Sequence, residues 1–179
     1  MPQDTEQLRY PIGKFEIPVV IAAELIGGWV DDIAATPQKL NALVDGLTEE
    51  QLATPYRPSG WTVQQVVHHF PDFNVNGYMR IKLALTEDTP VIKPYLEDKW
   101  AALPDSDNGD ITPSLTIMNG LIPRWVKLLR ALDANDLKRK IYHPEAEREF
   151  SIEELIGNYS WHNRHHIAHI QNLKTRMGW

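Results

Sequence analysis

Apolar residues recur every three to four positions through four long stretches of this chain, the period of helices that bury one face. The first stretch runs from about Trp29 to Val44 and sets Trp29, Ile33, Leu40, Leu43 and Val44 on one side, with Leu47 beyond. The second begins after Thr62 and carries Val66, Phe70, Phe73, Tyr78, Ile81 and Leu85. Thr62 with Gln65 three residues on forms a capping box. The third starts near Pro113, with Thr112 as its cap, and aligns Leu115, Met118, Ile122, Trp125, Leu129 and Leu132. The fourth is capped by Ser151 with Glu154 and runs to about Arg176. Pro37, Pro71 and Pro123 fall inside three of these patterns, where a missing backbone donor predicts a kink or break.

The connections read differently. "GLTEEQLATPYRPSG" predicts a helical turn and then a Pro/Gly-rich link. Residues 87–110 are rich in Pro and Asp and predict one short helix around Tyr95 to Leu103, inside a connection long enough to be a lid or crossover. "KIYHPEAEREF" predicts a short hairpin turning near Pro144. The expected fold is therefore all-α, a four-helix bundle in one domain over 1–179, with about 1–7 without order.

Composition narrows the function. The 179 residues carry a net charge of -6 and no basic run, which speaks against a nucleic-acid partner. No apolar run reaches membrane-spanning length, and the first residues lack a signal-peptide core, so a cytoplasmic location is expected. There is no cysteine, so any metal must be held by histidine, carboxylate and water.

Seven histidines are present, and four of them, His162, His165, His166 and His169, crowd into "SWHNRHHIAHI" on the fourth helix. At about 100° per residue, His162 and His166 straddle the direction of the apolar Leu155 and Leu173. His165 turns toward the polar side, and His169 is intermediate. The spacing of four residues stacks His162 over His166, so both can face one ion. On the second helix His69 shares the inward stripe of Val66 and Phe73, while His68 is turned about 100° away, toward the surface or a supporting place behind the ligands. No glutamate stands where a His-Glu-x-x-His protease motif needs one. The three inward histidines point to a metal site open at one position. The opposing reading is of solvated or hydrogen-bonded helix histidines; His143, His165 and His169 fit that reading better.

Six segments together, "LRYPIGKFEIP", "GLTEEQLATPYRPSGWTVQQVVHHFPD", "RIKLALTEDTPVIKPYLEDKWAAL", "YHPE", "YSWHNRHHIAHI" and "RMGW", resemble the YfiT-like proteins of the DinB superfamily from about Leu8 to Trp179. The resemblance implies a four-helix bundle of crossed connectivity and a homodimer. It implies one divalent ion per chain, zinc or nickel, on three histidines. These fall on His69, eight residues after Trp61, and on His162 and His166. It implies a metal-dependent hydrolase, or a bacillithiol S-transferase that brings a low-molecular-weight thiol to the ion in place of water. The chain departs from the pattern at Pro71, Phe73 and Asn74, where smaller or more polar residues are expected.

Beside the ligands, Asp72 and Gln65 are candidates to orient His69, Tyr159 is a candidate for acid/base work, and Arg80 and Arg164 could meet an anionic cosubstrate. Two rival readings are a non-catalytic metal-binding protein with a regulatory or stress role, and a helical scaffold whose histidines hold nothing tightly.

Overall fold

The computed structural model of the protein describes residues 5–107 and 110–179. The expectation for residues 1–4 lies outside the described residues; Thr5 to Gln7 belong to a short helix, α1 (Thr5–Arg9). Four long helices follow: α2 (Ala23–Val44), α4 (Val63–Thr86), α7 (Thr112–Leu129) and α9 (Ile152–Met177). Between them stand α3 (Glu49–Leu52), α5 (Glu97–Ala101), α6 (Pro104–Asp107) and α8 (Ala134–Lys138). The hairpin is β1 (Lys140–His143) with β2 (Arg148–Ser151), antiparallel in the register Lys140 to Ser151 and His143 to Arg148. The crossover adds to its edge, where the Ile92 N–H donates to the Tyr142 carbonyl.

α2 packs on α7 and α9, and α4 packs on the same two. Thus α2 and α4 sit across the bundle from each other, as do α7 and α9, while the consecutive pair α4 and α7 is adjacent. The connections 45–62 and 130–151 therefore cross the bundle, while residues 87–111 join neighbouring helices by a longer path that carries α5 and α6 and meets the hairpin edge. Both expected capping boxes form: Thr62 accepts from the Gln65 N–H and Ser151 from the Glu154 N–H. α9 ends in a left-handed turn at Gly178, φ 74°, a conformation that suits glycine.

Several boundaries differ from expectation. α2 begins six residues before Trp29 without a side-chain cap, so no cap residue marks its start. The single helix expected near Tyr95 to Leu103 is two short ones, α5 and α6. The helices run on through Pro37, Pro71 and Pro123. Pro37 and Pro71 are buried, and packing of those faces outweighs the lost backbone bonds.

The core is one cluster drawn from all four long helices, with Trp125, Tyr159 and Phe70 its largest fully buried members. Gly77 lets α4 approach it closely. A Cβ there would sit 2.4 Å from the Tyr159 ring and 2.7 Å from Trp125. Gly77→Ala is therefore expected to lower stability by about 1–3 kcal/mol, the usual cost of overpacking, despite alanine's better helix propensity. Chemical denaturation measures it, and a stability gain would show that the aromatic pair yields freely. Beside this core, Asn74 of α4 and Asn163 of α9 exchange side-chain hydrogen bonds of 2.8 and 3.0 Å.

Candidate metal centre

α4 and α9 are neighbours in the bundle, and their shared interface places His69 against His162 and His166. One ring nitrogen from each lies within 4.8 Å of the others. The His162 and His166 Nε2 atoms are 3.2 Å apart. Two nitrogens on one tetrahedral zinc ion are separated by about 3.3 Å, given Zn–N bonds of 2.0–2.1 Å. The His69 Nε2 is buried with no hydrogen-bond partner. An orphaned buried nitrogen and a pair spaced for one ion fit a divalent cation with imidazole ligands.

Hydrogen bonding settles the tautomers. The His169 Nε2 contacts the Arg9 carbonyl at 3.0 Å. A carbonyl only accepts, so His169 carries its proton on Nε2 and offers a lone pair at Nδ1. That Nδ1 meets the His166 Nδ1 at 3.3 Å, so His166 donates there and keeps its Nε2 lone pair free. The backbone of the N-terminal segment thus turns the His166 lone pair toward His162.

Burial keeps the rings neutral, the form that binds metal. Desolvation pulls His69 down to about 4 and His165 to about 4. His162 and His166 lie well below the usual histidine range, first from burial and then from neighbouring imidazoles. His169 falls to about 3, chiefly by burial and next by His165.

Aromatic rings brace the cluster. Phe73 stacks on His162 at 3.6 Å, Tyr56 on His169 at 3.9 Å and Trp161 on His165 at 4.7 Å. Trp61 lies 4.8 Å from His69 and donates its indole N–H to Asp98. A cavity of about 390 Å³ opens onto the four α9 histidines from the side of Arg9, Tyr10, Arg57, Glu97 and Asp98. Phe73, one of the departures from the family pattern, is therefore a wall of the site, and Asn74 is a fastener beside it.

His165, expected toward the polar side, and His169, expected at an intermediate position, are both buried, 7% and 3% exposed. Their side of α9 is covered by the N-terminal segment, where Tyr10 lies 5.9 Å from His165 and the Gly13 carbonyl accepts from the Trp161 indole. His68, expected at the surface or in support behind the ligands, is also buried, and its Nδ1 pairs with Ser114 of α7 at 2.8 Å. Covering segments distant in sequence leave no mark on a helical wheel.

The supporting candidates separate. Gln65 is engaged in capping and with the Ala101 carbonyl, not with His69. Asp72 is half-buried, its carboxyl pushed up to about 6 by desolvation and by Asp105. Tyr159 is a core residue packed on Phe73, its hydroxyl accepting from Arg80 at 3.3 Å. Arg164 pairs with Asp32 on the surface at 3.1 Å. Asp98, Tyr56 and Arg9 were not singled out from the sequence, because nothing local to them signals a site. No described helix is long and apolar enough to cross a membrane.

The DinB superfamily model matches residues 32–170. The chain is 45% identical over 172 residues to a Bacillus subtilis (strain 168) protein named "Putative metal-dependent hydrolase YfiT", covering 96% of this chain and 97% of that one. A Bacillus cereus (strain B4264) protein named in the same terms is 48% identical over 172 residues, covering 96% and 98%. The solved Bacillus subtilis structure, described as a probable metal-dependent hydrolase with an unusual four-helix bundle topology, superposes with a TM-score of 0.94 over 97% of this chain and 99% of that chain.

Proposed function

The chain belongs to the DinB superfamily, and from that premise we propose that it is a metal-dependent hydrolase, a single domain over 1–179 that binds one divalent ion through His69, His162 and His166. The observation that carries this is the convergence of three neutral imidazoles, His69 and His166 buried and His162 half-buried, with the α9 pair opening onto a cavity. Zinc is the favoured ion and nickel the alternative, since both suit imidazole. A divalent ion held this way supplies Lewis-acid chemistry, lowering the pKa of water, or of a thiol, toward neutrality.

The chain's own residues then have distinct tasks. His169 and the Arg9 carbonyl hold the His166 tautomer. Phe73 and Tyr56 fix ring planes and exclude water from behind the histidines. Asp98, anchored by Trp61, and Glu97 present carboxylates at the cavity mouth. Tyr159 supports Phe73 rather than exchanging protons, because its hydroxyl is buried and burial raises its pKa. A low-molecular-weight thiol could serve as nucleophile in place of water, and it would arrive as cosubstrate because the chain has no cysteine.

Zinc-loaded and nickel-loaded protein is expected to turn over members of an ester and amide panel, with activity lost on chelation and restored by the ion. A thiol panel with a haloaromatic electrophile tests transfer. Turnover only in the second assay would replace hydrolysis by thiol transfer; turnover in neither would favour a non-catalytic metal-binding protein.

A further inference from the structure

A second cavity adjoins the histidine cavity. Its volume is about 540 Å³, within the usual range of small-molecule sites, and Glu97 and Asp98 border both spaces. Arg80 of α4, Tyr95 of the crossover, and His143 and Glu145 of the hairpin close its other sides. A molecule reacting at the histidines can therefore extend past α5 into this space.

Arg80 and Tyr95 both line it, and each carries a donor that no carboxylate engages. Arg80 donates to the Tyr159 hydroxyl, and among the described residues it pairs with no carboxylate, although three carboxylates line the same cavity. The Tyr95 hydroxyl is buried with no hydrogen-bond partner, while its ring rests 4.4 Å from Trp100. A buried hydroxyl left unpaired costs about 1–3 kcal/mol, so an acceptor that reaches it gains accordingly. Arg80 and Tyr95 border the same space, so one anionic group could meet both.

A plain anion is nonetheless a poor match. Glu97, Asp98 and Glu145 outnumber Arg80 and Lys99 around the cavity, and His143 is held below its ordinary pKa by burial and by Arg80. Asp98 is already engaged by Trp61, which leaves Glu97 and Glu145 to meet a cation.

We propose that this second cavity is a substrate subsite for a zwitterionic, amino-acid-type head, its carboxylate on Arg80 and the Tyr95 hydroxyl and its ammonium against Glu97 and Glu145. The subsite extends the hydrolase reading, yet binding of the head itself requires no ion.

Calorimetric titration of the metal-free protein with L-norleucine, hexanoate and pentylamine tests it, since the last two lack the ammonium and the carboxylate respectively. L-norleucine is expected to bind at least about tenfold more tightly than either, the worth of one hydrogen bond to a charged group. Arg80→Met should abolish the preference over pentylamine. Tyr95→Phe, which leaves the core intact, should weaken L-norleucine severalfold. Equal binding of the three compounds, no binding, or both variants behaving like the parent would overturn the subsite. Norleucine binding with no hydrolytic turnover in the loaded protein would instead count against the hydrolase reading alone.

Discussion

Replacing His162 or His166 with alanine is expected to reduce divalent metal in protein purified without an affinity tag from about one equivalent to below about a tenth, because three protein ligands are the minimum for such a site. His69→Ala should do the same from the other helix. The neighbours grade the result. His169→Ala removes the acceptor that orients His166, and losses of about 10- to 100-fold in affinity follow from disturbing such a partner. His165→Ala should retain metal, since its Nδ1 bonds to nothing and it touches His166 and His169 only through ring contacts, with no hydrogen bond to either. Circular dichroism on each variant separates loss of the ion from loss of the fold. If His165→Ala loses metal while His162→Ala keeps it, the ligand assignment falls.

The metal-free protein is expected to be sharply acid-labile. In the unfolded chain histidine titrates near 6.5, whereas in the fold His69 and His165 titrate near 4 and His169 near 3. Between those limits the unfolded state binds more protons, so stability is complete above about pH 6.5 and falls as pH drops toward 4. Each such histidine contributes a slope of up to about 1.4 kcal/mol per pH unit. Asp72 opposes the trend, since a carboxyl raised to about 6 stabilises the fold as it protonates. Glu97, also raised by burial, opposes it as well, but two carboxyls stand against five imidazoles, so net stability is expected to fall as pH falls. Zinc should shift the midpoint to lower pH by binding only the neutral rings. A stability curve flat between pH 6.5 and 4.5 would contradict this account.

The four helices and the inward trio of histidines were legible because periodicity and capping are local. Thr62 with Gln65, and Ser151 with Glu154, announce helix starts within four residues. His69, His162 and His166 follow the apolar stripe that packs α4 on α9. What was not legible depends on segments far apart in the chain. The burial of His165 comes from Tyr10 and Trp161, and that of His68 from the crossover and α7. Proline does not break these helices: α2 and α4 run on through Pro37 and Pro71, which are buried in the packed faces.

The exchanged amides of Asn74 and Asn163 bear on how an ion would come and go. Asn74 lies five residues beyond His69, and Asn163 directly follows His162. Apolar contacts allow one helix to slip along another, but two carboxamides satisfy each other in a single placement. The height of His69 relative to the α9 pair is thus decided by folding and not by the ion. Uptake would then proceed at the pace of ligand exchange through the open cavity, without waiting for the chain to reorganise. Ions that insist on six oxygen donors would find a nitrogen-rich cage that does not rearrange to suit them.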